Sequence, residues 1–265
     1  MSKVRLYFRL LGISLRGQMQ YRVSFLLQAI GQLIFTGVEF FGIWALFQRF
    51  GSLRGWTLPE VALTYGMVNV AFGFAEGFGR GFDIFPALVK SGDFDRLLLR
   101  PRSTALQIAG QELQIMRVGR LVQGGSILCW AIYSLGFGAS PGTLLLIGFA
   151  IAGGICLFYG LFIVQATIAF WTVESLEIMN TVTYGGTETG QYPMSIYRPW
   201  FRQFFTFVIP LACVTYFPAG VLLGRTVGTP ELWLGCIAPL AGLLFLLISL
   251  RIWQFGVRHY RSTGS

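Results

Sequence analysis

The chain has 265 residues, is 54% hydrophobic and only 12% charged, and carries a net charge of +9. A soluble domain of ordinary composition is about 25% charged, so most of this surface is solvated by something other than water. Apolar runs of about 20 residues, the length that crosses a hydrocarbon core, recur along it; they exclude a soluble enzyme, give an all-α polytopic membrane protein, and make anionic lipid rather than nucleic acid the partner of the positive charge.

In chain order, residues 1–23 come first. Arg5, Arg9 and Arg16 share one helical face, away from Leu6, Leu10 and Ile13. That spacing predicts a helix lying along a leaflet, and no small-residue cleavage site follows to make it a signal peptide. Hydropathy then predicts spans at 24–47, 59–79, 118–138, 143–171 and 232–250. A further apolar run at 201–224, broken by Pro210 and Pro218, brings the number to six and puts both termini on one side. Lys and Arg number five in 1–23, seven in 80–120 and three in 251–265, fifteen of the chain's 20. The positive-inside rule places those segments in the cytoplasm. The result is a single membrane domain over 1–265, with a cytoplasmic helix at 1–23, a cytoplasmic loop at 80–117 and a cytoplasmic tail at 251–265.

Charge concentrates in that loop, in "VKSGDFDRLLLRPRST" at 89–104. The stretch reads as two short helices split by Ser91-Gly92. Pro86 sits in the first turn of one, Asp93 or Asp95 caps the other, and Pro101 stops it. Leu97, Leu98 and Leu99 beside Arg96 and Arg100 make an amphipathic surface for lipid or protein.

Few polar residues enter the spans. Glu39 is the acid well inside the first, with Gln32 on the same helix; Asn69 and Glu76 line up on the second. Ionisable groups at such depth mark a functional path by default, the plain alternative being a helix–helix hydrogen bond. Arg80, a turn beyond Glu76, is expected to pair with it or with lipid phosphate. The glycines of "FGFAEGFGRGF" permit close helix contact.

The chemistry these residues exclude is clear. Cys129, Cys156, Cys213 and Cys236 stand singly and His259 is the one histidine, so neither a metal site nor a Ser–His hydrolase is expected. Lys3 and Lys90 are the only lysines and neither follows the glycine pattern of a phosphate loop. The chain is not expected to be an enzyme.

The six spans, amphipathic start and helical loop resemble the permease subunits of type-two ABC exporters. "FGIWALFQRFGSLRGWTLPEVALTYG", "SGDFDRLLLRPRST" and "YPMSIYRPWFRQFFTFVIPLACVTYFPA" look like a bacterial subfamily of such permeases. The resemblance implies an efflux system of the bacterial cytoplasmic membrane. Residues 82–100 would dock on a separate ABC ATPase subunit, with Phe82, Asp83, Asp93, Phe94, Asp95, Arg96 and Arg100 bearing the contact. ATP and Mg would be bound by that partner, with no cofactor on this chain, and a second permease, identical or related, would complete the pathway as a homo- or heterodimer. It also implies that 172–192 is the fifth span and that 201–224 dips in as a re-entrant hairpin. Hydropathy objects, because Glu174, Glu177, Asn180 and Glu188 would enter the membrane at roughly 2.5–3.5 kcal/mol per central charge. A water-filled path lined by Glu39, Asn69, Glu76, Glu177 and Asn180 would relieve that cost. The rival reading is an ion-gradient-driven secondary transporter, which calls for internal repeats that the sequence does not display.

Overall fold

The computed structural model describes residues 12–13, 16–18, 20, 22–137, 140–172, 176–225 and 229–260, with backbone alone at 176–180 and 229–230. The helix expected at 1–23 falls largely outside them. The chain runs through α1 (Arg22–Phe50), α2 (Leu58–Asp83), α3 (Phe85–Lys90), α4 (Asp93–Leu98), α5 (Thr104–Ala109), α6 (Val118–Ser134) and α7 (Pro141–Ile168). It continues through α8 (Leu176–Gly190), α9 (Pro199–Gln203) with a π-turn at Phe204–Val208, α10 (Leu211–Val214), α11 (Tyr216–Leu222), α12 (Thr229–Ile237) and α13 (Leu240–His259). Helix dominates, and the described residues contain no strand.

The bundle is built around α2, which is buried on nearly every side. Its start is fixed by Glu60, whose carboxylate accepts the Thr57 N–H at 2.7 Å, with Pro59 in the first turn. Small residues let its neighbours close in. A methyl group on Gly66 would sit 2.7 Å from Leu128 Cβ, and one on Gly124 of α6 would sit 2.8 Å from Asn69 Cβ. Gly154 of α7 is as close to Ala71, and at the α7–α13 contact a methyl on Gly153 would lie 2.5 Å from the Pro239 carbonyl oxygen. Where lipid tails are as apolar as leucine, such close backbone approach supplies the attraction. The opposite faces of α1 and α13 leave Leu26, Leu27, Ile30, Leu243, Leu244 and Leu247 exposed, as surfaces in hydrocarbon.

Among the described residues, four helices are long and apolar enough to span: α1, α2 carried through α3 to Lys90, α7 and α13. The pair 199–208 and 211–222, bent by 74°, makes a possible fifth. α6, with 17 residues, is about 25 Å long at the usual helical rise. The last helix begins at Leu240, after a break at Pro239, rather than at 232; it continues to His259, so the first part of the expected tail is helix.

The run 201–224 is not one straight helix, because Pro210 has no N–H to continue the ladder and the chain turns at Ile209–Pro210. The polar stretch before it does fold as a helix, α8. Thr183, Thr187 and Thr189 are buried there. The Thr187 and Thr189 hydroxyls donate to the carbonyls of Thr183 and Gly185 at 3.1 and 2.6 Å, and Thr183 donates to Gln165 at 3.3 Å. Hydroxyls satisfied in this way tolerate an apolar surround. Both ends of the bent pair lie against the α1–α2 loop. Ser195 accepts hydrogen bonds from Arg54 (3.2 Å) and Trp56 (3.1 Å), and Arg225 donates to the Gly55 carbonyl at 2.7 Å.

Candidate functional site

The sequence-predicted residues fall into two places. Inside the bundle, the segment after α5 turns inward, so that the Gln114 N–H donates to the Gly77 carbonyl at 3.0 Å. This carries Arg117 to Glu76, with 2.7 Å between guanidinium and carboxylate. Arg117 also donates to Gln32 and Gln114, each at 2.9 Å, and the Tyr184 hydroxyl donates to Glu76 at 3.2 Å. Arg120, a turn later, is buried, lies 5.0 Å from the Phe72 ring centroid and interacts electrostatically with Glu39, Glu76 and Glu188. Glu39 and Glu76, remote in sequence, thus lie in the field of one arginine, while the ion pair itself is Glu76–Arg117. Removing one member of a buried pair of this kind costs about 3–5 kcal/mol, because the other charge is left stranded.

Two sequence expectations are corrected at this point. Glu76 pairs with Arg117, whereas Arg80 pairs with Asp83 and lies 3.8 Å from Glu112. Arg117 and Arg120, counted among the loop charges, turn into the bundle, Arg117 half-buried and Arg120 buried. Asn69 is fully buried at the α2–α6 contact, its amide donating to the Tyr65 carbonyl at 3.0 Å. Beside it, Gln123 donates to the Tyr65 hydroxyl (2.9 Å) and the Thr36 carbonyl (3.0 Å), which ties α1, α2 and α6 together. Glu177 and Asn180 lie on α8, with side chains outside the described residues. The strip keeps several polar atoms without hydrogen-bond partners among the described residues: Oε2 of Glu39 and of Glu76, Oδ1 of Asn69, Nε of Arg120 and Oε1 of Gln123. Such unsatisfied buried atoms are rare in a closed core.

The second place is the far end of α2. α3 and α4 form on either side of Ser91-Gly92 as expected, with Pro86 in the first turn of α3. The cap differs: Gly92, at φ 75°, is the N-cap of α4, and Asp93 and Asp95 occupy its first turn, where acids favour the positive helix end. Asp93 accepts from the Ser91 hydroxyl at 2.8 Å and faces Arg96 at 3.5 Å. Phe82 and Phe94 do not face outward. Both are fully buried with Phe85 around Trp253, at ring separations of 5.4 Å (Phe82–Trp253), 4.8 Å (Phe85–Trp253) and 5.0 Å (Phe85–Phe94). Asp83 turns toward Arg80 and Gln165. What the loop presents outward is Lys90, Arg96, Leu98, Leu99 and Arg100, with Leu99 86% exposed.

The signal for the buried aromatics was available only as a run of phenylalanines, because their partner Trp253 lies far along the chain. Among the described residues, no cluster of His, Cys, Asp or Glu has the arrangement to hold a metal ion. A family model described as "ABC-2 family transporter protein" matches residues 33–264. Neither the curated proteins nor the solved structures give a match.

Proposed function

We propose that this chain, which belongs to the ABC-2 family of transporter proteins, is the permease half of an ATP-driven exporter that couples to a separate ATPase subunit through α3 and α4. As a member of that family it is a membrane component of an ABC transporter. In this reading it has six spans: α1, α2, α6, α7, α8 and α13. The bent pair 199–222 is a re-entrant hairpin from the outer side, and both termini lie in the bacterial cytoplasm. A second permease copy or relative completes the pathway. Glu39, Glu76, Glu177 and Asn180, with Arg120 added, line the path, and Asn69 supports it from behind. ATP and Mg belong to the partner.

The observation that carries the reading is the seating of the loop. Phe85 and Phe94 lock it onto the bundle around Trp253, while Arg96, Leu98, Leu99 and Arg100 remain exposed. An element that receives force must be rigid on one side and free on the other. In this arrangement Phe82 and Phe94 act as positioning residues, and the docking surface is the exposed Arg–Leu tip, with Asp93 and Asp95 orienting it.

The test is Leu99→Asp and, separately, Arg100→Glu, in permease co-expressed with its ATPase. Each exposed substitution leaves the bundle folded and removes an interface contact; a lost interface charge pair costs roughly 2–5 kcal/mol. The expected result is a purified permease of normal yield that no longer retains the ATPase. Retention and export equal to wild type would reject the docking role. The secondary-transporter reading draws on the buried Glu76–Arg117 pair and the break at Pro210; transport by the chain alone in liposomes, driven by an ion gradient without ATP, would establish it instead.

A further inference from the structure

The bent pair encloses a cavity of about 330 Å³ between its two arms. Arg202, Gln203 and Thr206 stand on one side, and Phe207, Tyr216 and Phe217 contribute aromatic wall. Arg202 is exposed and has neither an ion pair nor a side-chain hydrogen bond among the described residues, and the same holds for Arg198 one turn earlier. Arg198 is the extended N-cap of α9 and Arg202 lies on its last turn, so two cations flank one short helix with no acid paired to either among the described residues. They also lie at the end of the bundle that holds the α1–α2 loop, where the sequence is otherwise poor in basic residues. Nearby, Trp200 and Phe207 are 65% and 82% exposed, and a tryptophan so placed settles at headgroup depth.

The ligand that answers all of these features carries one anionic group with several oxygen acceptors, joined to apolar chains. A guanidinium fork matches phosphate oxygens, and the aromatic wall matches methylenes. We infer that the mouth of the hairpin is a phospholipid site: Arg202, supported by Arg198, holds the phosphate of an anionic lipid, and Phe207, Tyr216 and Phe217 receive its glycerol and first methylenes. A lipid seated there bridges α9 to α11 across the bend at Ile209–Pro210 and so stabilises one angle of the hairpin.

The probe is dioleoyl-phosphatidylglycerol against dioleoyl-phosphatidylcholine, titrated onto the purified full chain and read by native mass spectrometry. The readout needs neither an ATPase nor transport, so it stands or falls apart from the reading above. Wild type is expected to retain phosphatidylglycerol preferentially. Arg202→Gln is expected to weaken that retention roughly fivefold, and the Arg198→Gln/Arg202→Gln pair further, given about 1 kcal/mol for each basic residue facing an anionic lipid. Arg202→Lys should keep most of it, and Thr206→Phe should lower it by filling the mouth with both arginines in place. Unchanged retention in the double variant overturns the proposal. So does equal occupancy and displacement by inorganic phosphate, which would make this a plain anion site. So does lost self-association with lipid retention intact, which would make Arg202 the partner of a carboxylate on a second copy.

Discussion

The two ends of α2 are fastened in different ways. At the α3–α4 end, Phe82, Phe85, Phe94 and Phe170 gather around Trp253, and the indole N–H donates to the Thr104 hydroxyl at 3.1 Å. At the other end, Arg225 donates to both Glu60 oxygens at 2.8 Å and stacks over the Trp56 ring at 4.2 Å. Aromatic packing is short-ranged, indifferent to salt, and leaves a void when broken. A partly exposed ion pair is weakened by salt and can part into water or headgroups without opening a cavity. The difference teaches how each end is held. α3 and α4 are fixed to α13 by ring packing, whereas at the other end the Arg225–Glu60 pair, just beyond α11, is added to the apolar packing of Leu211, Ala212, Val214 and Ala219 in the core.

The largest effect tests the aromatic end. Trp253→Ala should destabilise the purified chain by about 3–5 kcal/mol, the ordinary range for a large buried aromatic, seen as a lowered unfolding midpoint in detergent. Trp253→Phe, which keeps part of the ring contact, should cost clearly less. The middle effect tests the other end. Arg225→Met removes the pair with Glu60 and the stacking on Trp56, an expected loss of about 1–3 kcal/mol. Raising salt to about 1 M should shrink that loss, because the Debye length there is about 3 Å, and should leave the cost of Trp253→Ala unchanged. Equal salt dependence at both sites would erase the comparison.

The contrast was only partly legible in the sequence. Apolar length found α1, α2 and α7 to within a few residues, and the Ser91-Gly92 break with Pro86 found α3 and α4, because length and backbone restriction are local properties. Arg117 and Arg120 could not be placed that way. They follow a charged loop and read as part of it, and only the return of Gln114 to Gly77 carries them inward. α8 was hidden for the opposite reason: Glu177, Asn180 and Glu188, with the threonines, lower the hydropathy, yet the Thr187 and Thr189 hydroxyls are spent on carbonyls of their own helix. The resemblance to exporter permeases placed a span at 172–192, where α8 forms, and a dip at 201–224, where the chain bends. The resemblance implied that Phe82 and Phe94 bear the docking contact; their burial depends on Trp253, which no local pattern connects to them.

The smallest effect sharpens the comparison within the aromatic end, where Tyr260 adds the polar exception. Its ring packs on Phe94 at 5.1 Å and Phe170 at 5.5 Å. Burial first, and then the neighbouring Asp95 carboxylate, push its phenol above the ordinary value. The folded chain therefore holds this proton more tightly than the unfolded chain does. Whatever stability the contact contributes is complete below about pH 10, the unfolded phenol's pKa, and is lost as pH rises past it, since ionisation then favours the unfolded state. Tyr260→Phe keeps the ring and removes the titration. At neutral pH the variant should be less stable by under about 1 kcal/mol, as for a partly exposed polar contact. Above about pH 10 the gap between the two proteins should narrow, because only wild type has a proton to lose there. Denaturation of both across pH 7 to 11 measures it; a gap that stays constant would mean that neither burial nor Asp95 acts on the hydroxyl and that Tyr260 is held by its ring contacts alone.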